Sequence, residues 1–488
     1  MQSRFTLTRF AAALVLAGAV AVSGCGGRGG GGDGGGDPGV GGGGGSAPTA
    51  AAALKAGAPL ENPEELVSRD GVLRAELNVA RRLVNVAGRK LWALTYNDRF
   101  MPPTLRIRPG DKLELRVTNR LDKNTNLHVH GMHVSPSGNS DNVFIHIHPG
   151  QTFHYSYTFL KTIKPGTYWY HSHAHPMSAK QVAGGMSGVI VVDGLKRHLP
   201  AGLRNITERV VALKDFQVQG DRVKTDDLKI GAPTNRTING QLKPVIAIRP
   251  GEVQLWRLAN ISANIYYNIH LPGHQFHVLT HDASPVDRIW QADSLLLAAG
   301  ARFDVLVRGG PAGHTELETL AYSTGPGGNQ FPRTALASVV SGGSPVRPVT
   351  LPTTFAPRAD LSNAKLAARR TVVFSENKAG TVYYINGKPF DPNRVDIRSR
   401  LNTVEEWTVR NDSDEEHSFH VHTNHFQLMS INGRPHDAHS LQDVVTVPAR
   451  GNIVIRNHFL DYTGKTVLHC HILNHEDAGM MAVLEIVR

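Results

Sequence analysis

Apolar and polar residues alternate in short runs along most of this chain, the period-two pattern of strands with one buried face. One such pattern occurs three times. It reads Leu105-Arg-Ile-Arg-Pro-Gly-Asp-Lys-Leu-Glu-Leu-Arg-Val-Thr-Asn119, then Ile246-Ala-Ile-Arg-Pro-Gly-Glu-Val-Gln-Leu-Trp-Arg-Leu-Ala-Asn260. A looser third copy is Val395-Asp-Ile-Arg-Ser-Arg-Leu-Asn-Thr-Val-Glu-Glu-Trp-Thr-Val-Arg-Asn411. Each copy predicts strand, turn, strand, with Pro-Gly at the turn in the first two. Ile107, Ile248 and Ile397 stand 141 and 149 residues apart, which suits one β-sandwich per repeat. A histidine-bearing strand follows in each copy: Leu127-His-Val-His130, Asn268-Ile-His-Leu271 and Phe419-His-Val-His422. The outer copies keep His-X-His, whereas the middle one has only His270. The expectation is an all-β chain of three tandem β-sandwich domains over residues 66–196, 203–342 and 365–488. The proline-bearing stretch 343–364 would link the last two, and the middle domain would be a spacer.

The N-terminus reads differently. Arg4 and Arg9 precede an apolar run from Phe10 to Ala21, then Val22-Ser23-Gly24-Cys25. Such a run is too short to span a bilayer and suits a signal peptide over residues 1–25. The small residues before Cys25 resemble a bacterial lipoprotein signal, so export, lipidation of Cys25 and anchoring to an envelope membrane are expected. The chain would face the periplasm or the cell surface. No twin arginine is present, which implies export in unfolded form and metal loading outside the cytoplasm. Residues 26–45 hold 15 glycines and cannot bury enough apolar surface to fold. A flexible tether is expected over residues 26–65, with an r.m.s. reach of about 25 Å for roughly 20 residues. The formal charge is +11, with basic residues scattered and no nucleic-acid signature, so no nucleic-acid partner is expected. A monomer is expected.

The chain has two cysteines and 25 histidines. Residues i and i+2 of a strand face one side, so His-X-His aims two imidazoles at one point, and neutral imidazole suits copper, zinc and iron. Four pairs stand out: His128/His130, His171/His173, His420/His422 and His469/His471. The same spacing at His146/His148 and His173/His175 shows that a lone pair is weak evidence. Cys470, between His469 and His471, faces the opposite side of its strand. With His417, His475 and Met480 it completes one thiolate, two imidazoles and a weak thioether, the ligand set of a blue-copper electron-transfer site.

Together the segments His128-Val-His-Gly131, His171-Ser-His173, His417-Ser-Phe-His-Val-His422 and His469-Cys-His-Ile-Leu-Asn-His475-Glu-Asp-Ala-Gly-Met480 resemble the three-domain multicopper oxidases, the group of laccases, cuprous oxidases and ferroxidases. The resemblance runs from about residue 70 to the C-terminus and implies cupredoxin-like Greek-key domains. It also implies four copper ions. His417, Cys470 and His475, with Met480 axial, would hold the type 1 copper. His128 and His420 would hold the type 2 copper. His130, His171, His173, His422, His469 and His471 would hold the type 3 pair. Val129 departs from the family, which often has Trp there. It points away from the metal, so no ligation should be lost.

The implied activity is four one-electron oxidations of a donor coupled to reduction of O₂ to two waters, with the cluster shared by the first and third domains. Asp141 and Glu476 resemble acidic positions that supply protons in similar enzymes. The donor, a phenol-type molecule or a Cu⁺ or Fe²⁺ ion, is left open. Asp412, Asp414, Glu415 and Glu416 before His417 would attract a cation. Only eight methionines are present, without a methionine-rich insert, which weakens a dedicated cuprous oxidase. Asp443 is a candidate partner of a type 1 histidine. A copper nitrite reductase would have two domains per chain, and a non-catalytic or structural copper protein on this fold would lack some ligands.

Overall fold

The computed structural model describes residues 53–488. The signal segment, Cys25 and the glycine-rich run lie outside the described residues. The remainder is three β-sandwiches, each built from two mixed sheets. The chain is all-β and cupredoxin-like, as the alternation and the resemblance imply.

The repeated motif occupies the same place in every domain. Its first strand (Thr104–Ile107, Val245–Ile248 or Ile397–Arg400) and its second (Lys112–Asn119, Val253–Asn260 or Thr403–Asn411) do not form a hairpin. They enter the two facing sheets of their sandwich. The first strand runs parallel to the domain's last strand. The second runs parallel to its opening strand: Val72–Val86, Glu208–Phe216 or Leu366–Glu376. The turn must therefore cross between layers, and Gly110, Gly251 and Asn402 take positive φ there (90°, 77° and 61°). Glycine and asparagine tolerate that conformation best.

Two boundaries differ from expectation. The tether expected to reach residue 65 ends earlier. The Lys55 amide donates to the Ala87 carbonyl, and the Leu60 amide donates to the Val245 carbonyl, at 2.7 and 2.8 Å. Leu60 is buried in the core of the middle domain, and Glu65–Val67 pairs with Thr104–Ile107. The glycine run stops at residue 45, and isolated leucines beyond it find apolar surface to cover. The first domain also borrows Arg222–Val223, from the segment assigned to the second, beside Arg89–Tyr96. The middle and third domains share one continuous core, whereas the first has its own.

The histidine strands sit side by side within each outer domain. His128 pairs with His171 across one sheet, and His420 pairs with His469 across another. Val129 and Phe419 face the two cores, which turns the flanking imidazoles outward to the junction between domains.

Candidate metal centre

Eight imidazoles from the two outer domains, all nearly or fully buried, converge in one cluster. His130 and His420 stack with centroids 4.0 Å apart, and His128 and His422 with centroids 3.9 Å apart, each pair bridging the first and third domains. Nε2 of His469 lies 3.1 Å from Nε2 of His422 and 3.3 Å from Nε2 of His173. Nε2 of His471 lies 3.1 Å from Nδ1 of His130. Nε2 of His128, His171 and His420 has no hydrogen-bond partner. Buried polar atoms are almost always satisfied, so this concentration of aimed, unpartnered nitrogens marks a site built for something else.

The opposite ring atoms show how the nitrogens are aimed. Nδ1 of His128 meets the Asp141 carboxyl at 3.0 Å. Nδ1 of His171 donates to the Ser172 carbonyl and Nδ1 of His420 to the Asp443 carbonyl, both at 2.8 Å. Nδ1 of His469 lies 3.0 Å from the Cys470 carbonyl and 3.1 Å from Glu476. A hydrogen bond at one ring nitrogen selects the tautomer and leaves the other as an electron-pair donor. Burial pushes His128, His130, His171, His420, His422 and His471 below the ordinary imidazole value, and His173 down to about 4. They are neutral at pH 7, the state a metal requires.

A second cluster lies on the other face of the same strand. Sγ of Cys470 is 3.6 Å from Nδ1 of His417 and 3.9 Å from Nδ1 of His475, and those nitrogens are 3.2 Å apart. All three residues are buried. Burial takes His417 down to about 3 and His475 well below its ordinary value, and it pushes the Cys470 thiol up. The far nitrogen of His417 meets the Ser413 hydroxyl at 2.7 Å, and that of His475 lies 3.5 Å from Glu415. Met480 is fully buried, and its carbonyl accepts the Cys470 amide at 3.0 Å. Thiolate and imidazole suit copper, and both clusters offer donors of the right type, with the Cys470 thiol giving up its proton when a metal binds.

The two carboxylates expected to handle protons reach the cluster. Asp141 is buried against His128 and accepts from the Val129 amide at 3.0 Å, and burial raises it to about 8. Glu476 accepts from the Ser178 hydroxyl at 2.7 Å and lies 3.5 Å from His173. Burial pushes its carboxyl up, but His173 and His469 together hold it below the usual carboxylate range.

Three expectations are corrected. Asp443 does not serve His417 or His475. It lies 3.0 Å from Nε2 of His130 and accepts both terminal nitrogens of Arg302 at 2.7 Å. Asp443 immediately precedes the strand Val444–Val447, which pairs with the histidine strand His417–Val421. The middle domain is more than a spacer, since Arg302 belongs to it. Nor are Asp412, Asp414, Glu415 and Glu416 one open acidic patch. Arg410 binds Asp412 and Arg450 binds Asp414, while Glu416 accepts from the Tyr322 hydroxyl at 2.5 Å and Glu415 is buried. Sequence reasoning missed Arg302, Ser413, Ser178 and Tyr383, whose ring covers His475. None carries a spacing that would have singled it out.

The fold and the two clusters define a three-domain, copper-binding class of β-protein. Multicopper oxidase family models match residues 78–197, 209–313 and 358–488. The chain belongs to the multicopper oxidase family. It is 27% identical over 419 residues to multicopper oxidase mco of Staphylococcus aureus, covering 81% of this chain and 84% of that one. It is 26% identical over 412 residues to the cell division protein FtsP of Escherichia coli, covering 79% and 83%. Among solved structures, a multicopper oxidase from Campylobacter jejuni described as a metallo-oxidase superposes with a TM-score of 0.78. That pair is 25% identical, covering 89% of this chain and 96% of that one.

Proposed function

We propose that this protein oxidises a small donor one electron at a time and reduces O₂ to water. One observation carries the reading. Cys470 stands in the thiolate–imidazole cluster, and its covalent neighbours His469 and His471 stand in the eight-histidine cluster. The peptide backbone thus joins an electron-entry site to an O₂ site without a gap. Copper at these positions would supply single-electron transfer at Cys470 and multi-electron O₂ reduction at the histidines.

In this reading His417, Cys470 and His475, with Met480 as a weak fourth ligand, hold the type 1 ion. His128 and His420, whose aimed nitrogens have no partner, hold the type 2 ion. His130, His171 and His471, with His173, His422 and His469, hold the type 3 pair. Asp141, raised to about 8, keeps a proton at neutral pH beside His128 and can release it toward reduced oxygen. Glu476, anchored by Ser178, orients His469 and His173.

The surroundings of His475 disfavour direct contact by a bulky phenol. Tyr383 covers the ring face, and the buried Glu415 stands at the outer nitrogen, so a bulky aromatic cannot touch the imidazole. A second reading, the structural alternative, would place the chain in cell division, as the name of the FtsP relative suggests. It sits poorly with twelve ligand positions that all hold ligand-type residues. Copper content and O₂ uptake with Cu⁺, Fe²⁺ and a phenol in parallel decide among these. Colourless protein after copper reconstitution would end the oxidase reading. The proposal includes export and lipid anchoring through Cys25, tested by lipid labelling of the wild type and Cys25→Ala.

A further inference from the structure

We infer that the middle domain, which gives no histidine to the cluster, holds the two halves of that cluster in register through Arg302, a positioning residue. This rests on the copper reading above.

Arg302 is fully buried. Its fork binds both oxygens of Asp443 at 2.7 Å, the planar two-bond match that only arginine makes. Asp443 then touches both outer domains. Its Oδ1 accepts from Nε2 of first-domain His130, and its main-chain carbonyl accepts from Nδ1 of third-domain His420. With Nε2–H so engaged, His130 turns Nδ1 toward His471. One bidentate pair therefore selects the tautomer of one imidazole and the aim of another.

The rest of the middle-domain corner is shaped to the same end. Asp282 accepts the Arg302 amide at 3.0 Å, and it also accepts the amides of Asp443 and Val444 at 3.1 and 3.0 Å. The carbonyl of Ala299 accepts from the Ser418 hydroxyl at 3.0 Å. A Cβ on Gly300 would come within 3.1 to 3.2 Å of the rings of His471 and His130. A Cβ on Gly131 would stand 2.2 Å from the Arg302 guanidinium and 2.7 Å from Asp443. The glycine after the first His-X-His is therefore the space through which the guanidinium reaches its partner.

A buried ion pair that served only domain assembly would need none of this aim at His130 and His420. The test uses the full copper-loaded chain with Arg302→Met and Arg302→Lys. The readouts are copper retained against a chelator, type 3 near-ultraviolet absorption and the blue absorption of the Cys470 site. We expect Arg302→Met to keep the blue absorption while affinity for cluster copper falls roughly 10–100-fold, the usual loss when a ligand's outer partner is removed. Arg302→Lys keeps the charge without the fork and should fall between. Wild-type retention of cluster copper by Arg302→Met would overturn the inference. So would equal loss of blue absorption and cluster copper in both variants, which would mean a role in assembly alone. A wild-type chain lacking both absorptions would instead defeat the oxidase reading on which the inference rests.

Discussion

The ring of Tyr383 lies flat on the ring of His475, with centroids 4.1 Å apart and planes 14° from parallel. His475 is only 2% exposed, so this stack closes the imidazole face at the proposed electron-entry site. The Tyr383 amide donates to the Ala478 carbonyl at 3.0 Å, which ties the cover to the loop after His475. The geometry shields a candidate copper ligand from bulky donors.

Removal of that cover should change donor preference. Tyr383→Ala is expected to raise kcat/KM for a bulky phenol by about tenfold, equivalent to about 1.4 kcal/mol of barrier. Oxidation of a small donor such as Fe²⁺, which the cover does not exclude by size, should change little. Steady-state O₂ uptake with both donors measures this. An unchanged phenol rate would show that the stack is no barrier.

Cys470→Ser separates the two clusters. Serine fits the space, although its buried hydroxyl costs about 1–3 kcal/mol where no partner is supplied. The chain should fold, lose its blue colour and retain one copper fewer. Its histidine cluster should remain, because His469 takes its aim from the Cys470 carbonyl and Glu476 rather than from the thiol. Metal analysis with electron paramagnetic resonance reads both sites. Persistent blue absorption would remove Cys470 from its assigned place.

Much of this was legible in the chain itself, for a physical reason. Strand alternation places His-X-His on one face and Cys470 on the other without any tertiary knowledge. Three copies of one motif announce three domains. Alternation names a face but not a partner, however, so the strand-turn-strand pattern did not tell that its two strands enter different sheets. Arg302 was invisible because an arginine in a strand ordinarily points to water. Its partner Asp443 lies 141 residues away. Asp443 itself was recognisable as a carboxylate near metal ligands, but nothing local told which cluster it would face. The docked segment after residue 53 was hidden by the neighbouring glycine run, since composition averages over Leu54 and Leu60.

Asp141 carries the clearest pH prediction for turnover. Burial raises its carboxyl to about 8, so the protonated form prevails at neutral pH and is lost as pH rises through that value. If this proton is delivered during O₂ reduction, activity should fall on the alkaline side of about 8. Asp141→Asn should remove that limb and lower kcat by roughly 10²–10⁴-fold, the usual weight of a general acid. Reduction of the Cys470 site by donor should proceed at the wild-type rate. Stopped-flow reduction beside a pH series of O₂ uptake distinguishes the two steps. Retention of the alkaline limb in Asp141→Asn would assign it to another group.

Copper removal should leave an acid-sensitive chain. Burial holds His173 at about 4 and His417 at about 3, and it holds His128, His130, His171, His420, His422, His471 and His475 below the ordinary imidazole value. An unfolded histidine titrates near 6.5. As pH falls below about 6.5, the unfolded chain binds protons that the folded chain refuses, so stability drops as pH drops. Each such histidine contributes up to about 1.4 kcal/mol per pH unit until its folded value is reached. Copper acts in the opposite direction, since it binds the folded sites and adds about 4 kcal/mol per site at roughly 1,000 times its dissociation constant. The chelator-treated protein should therefore unfold at a lower temperature than the loaded protein. Its midpoint should fall steeply between about pH 7 and pH 5. Equal midpoints at both pH values would mean that the imidazoles are already charged in the folded chain, a state in which so many could not share one buried site without metal.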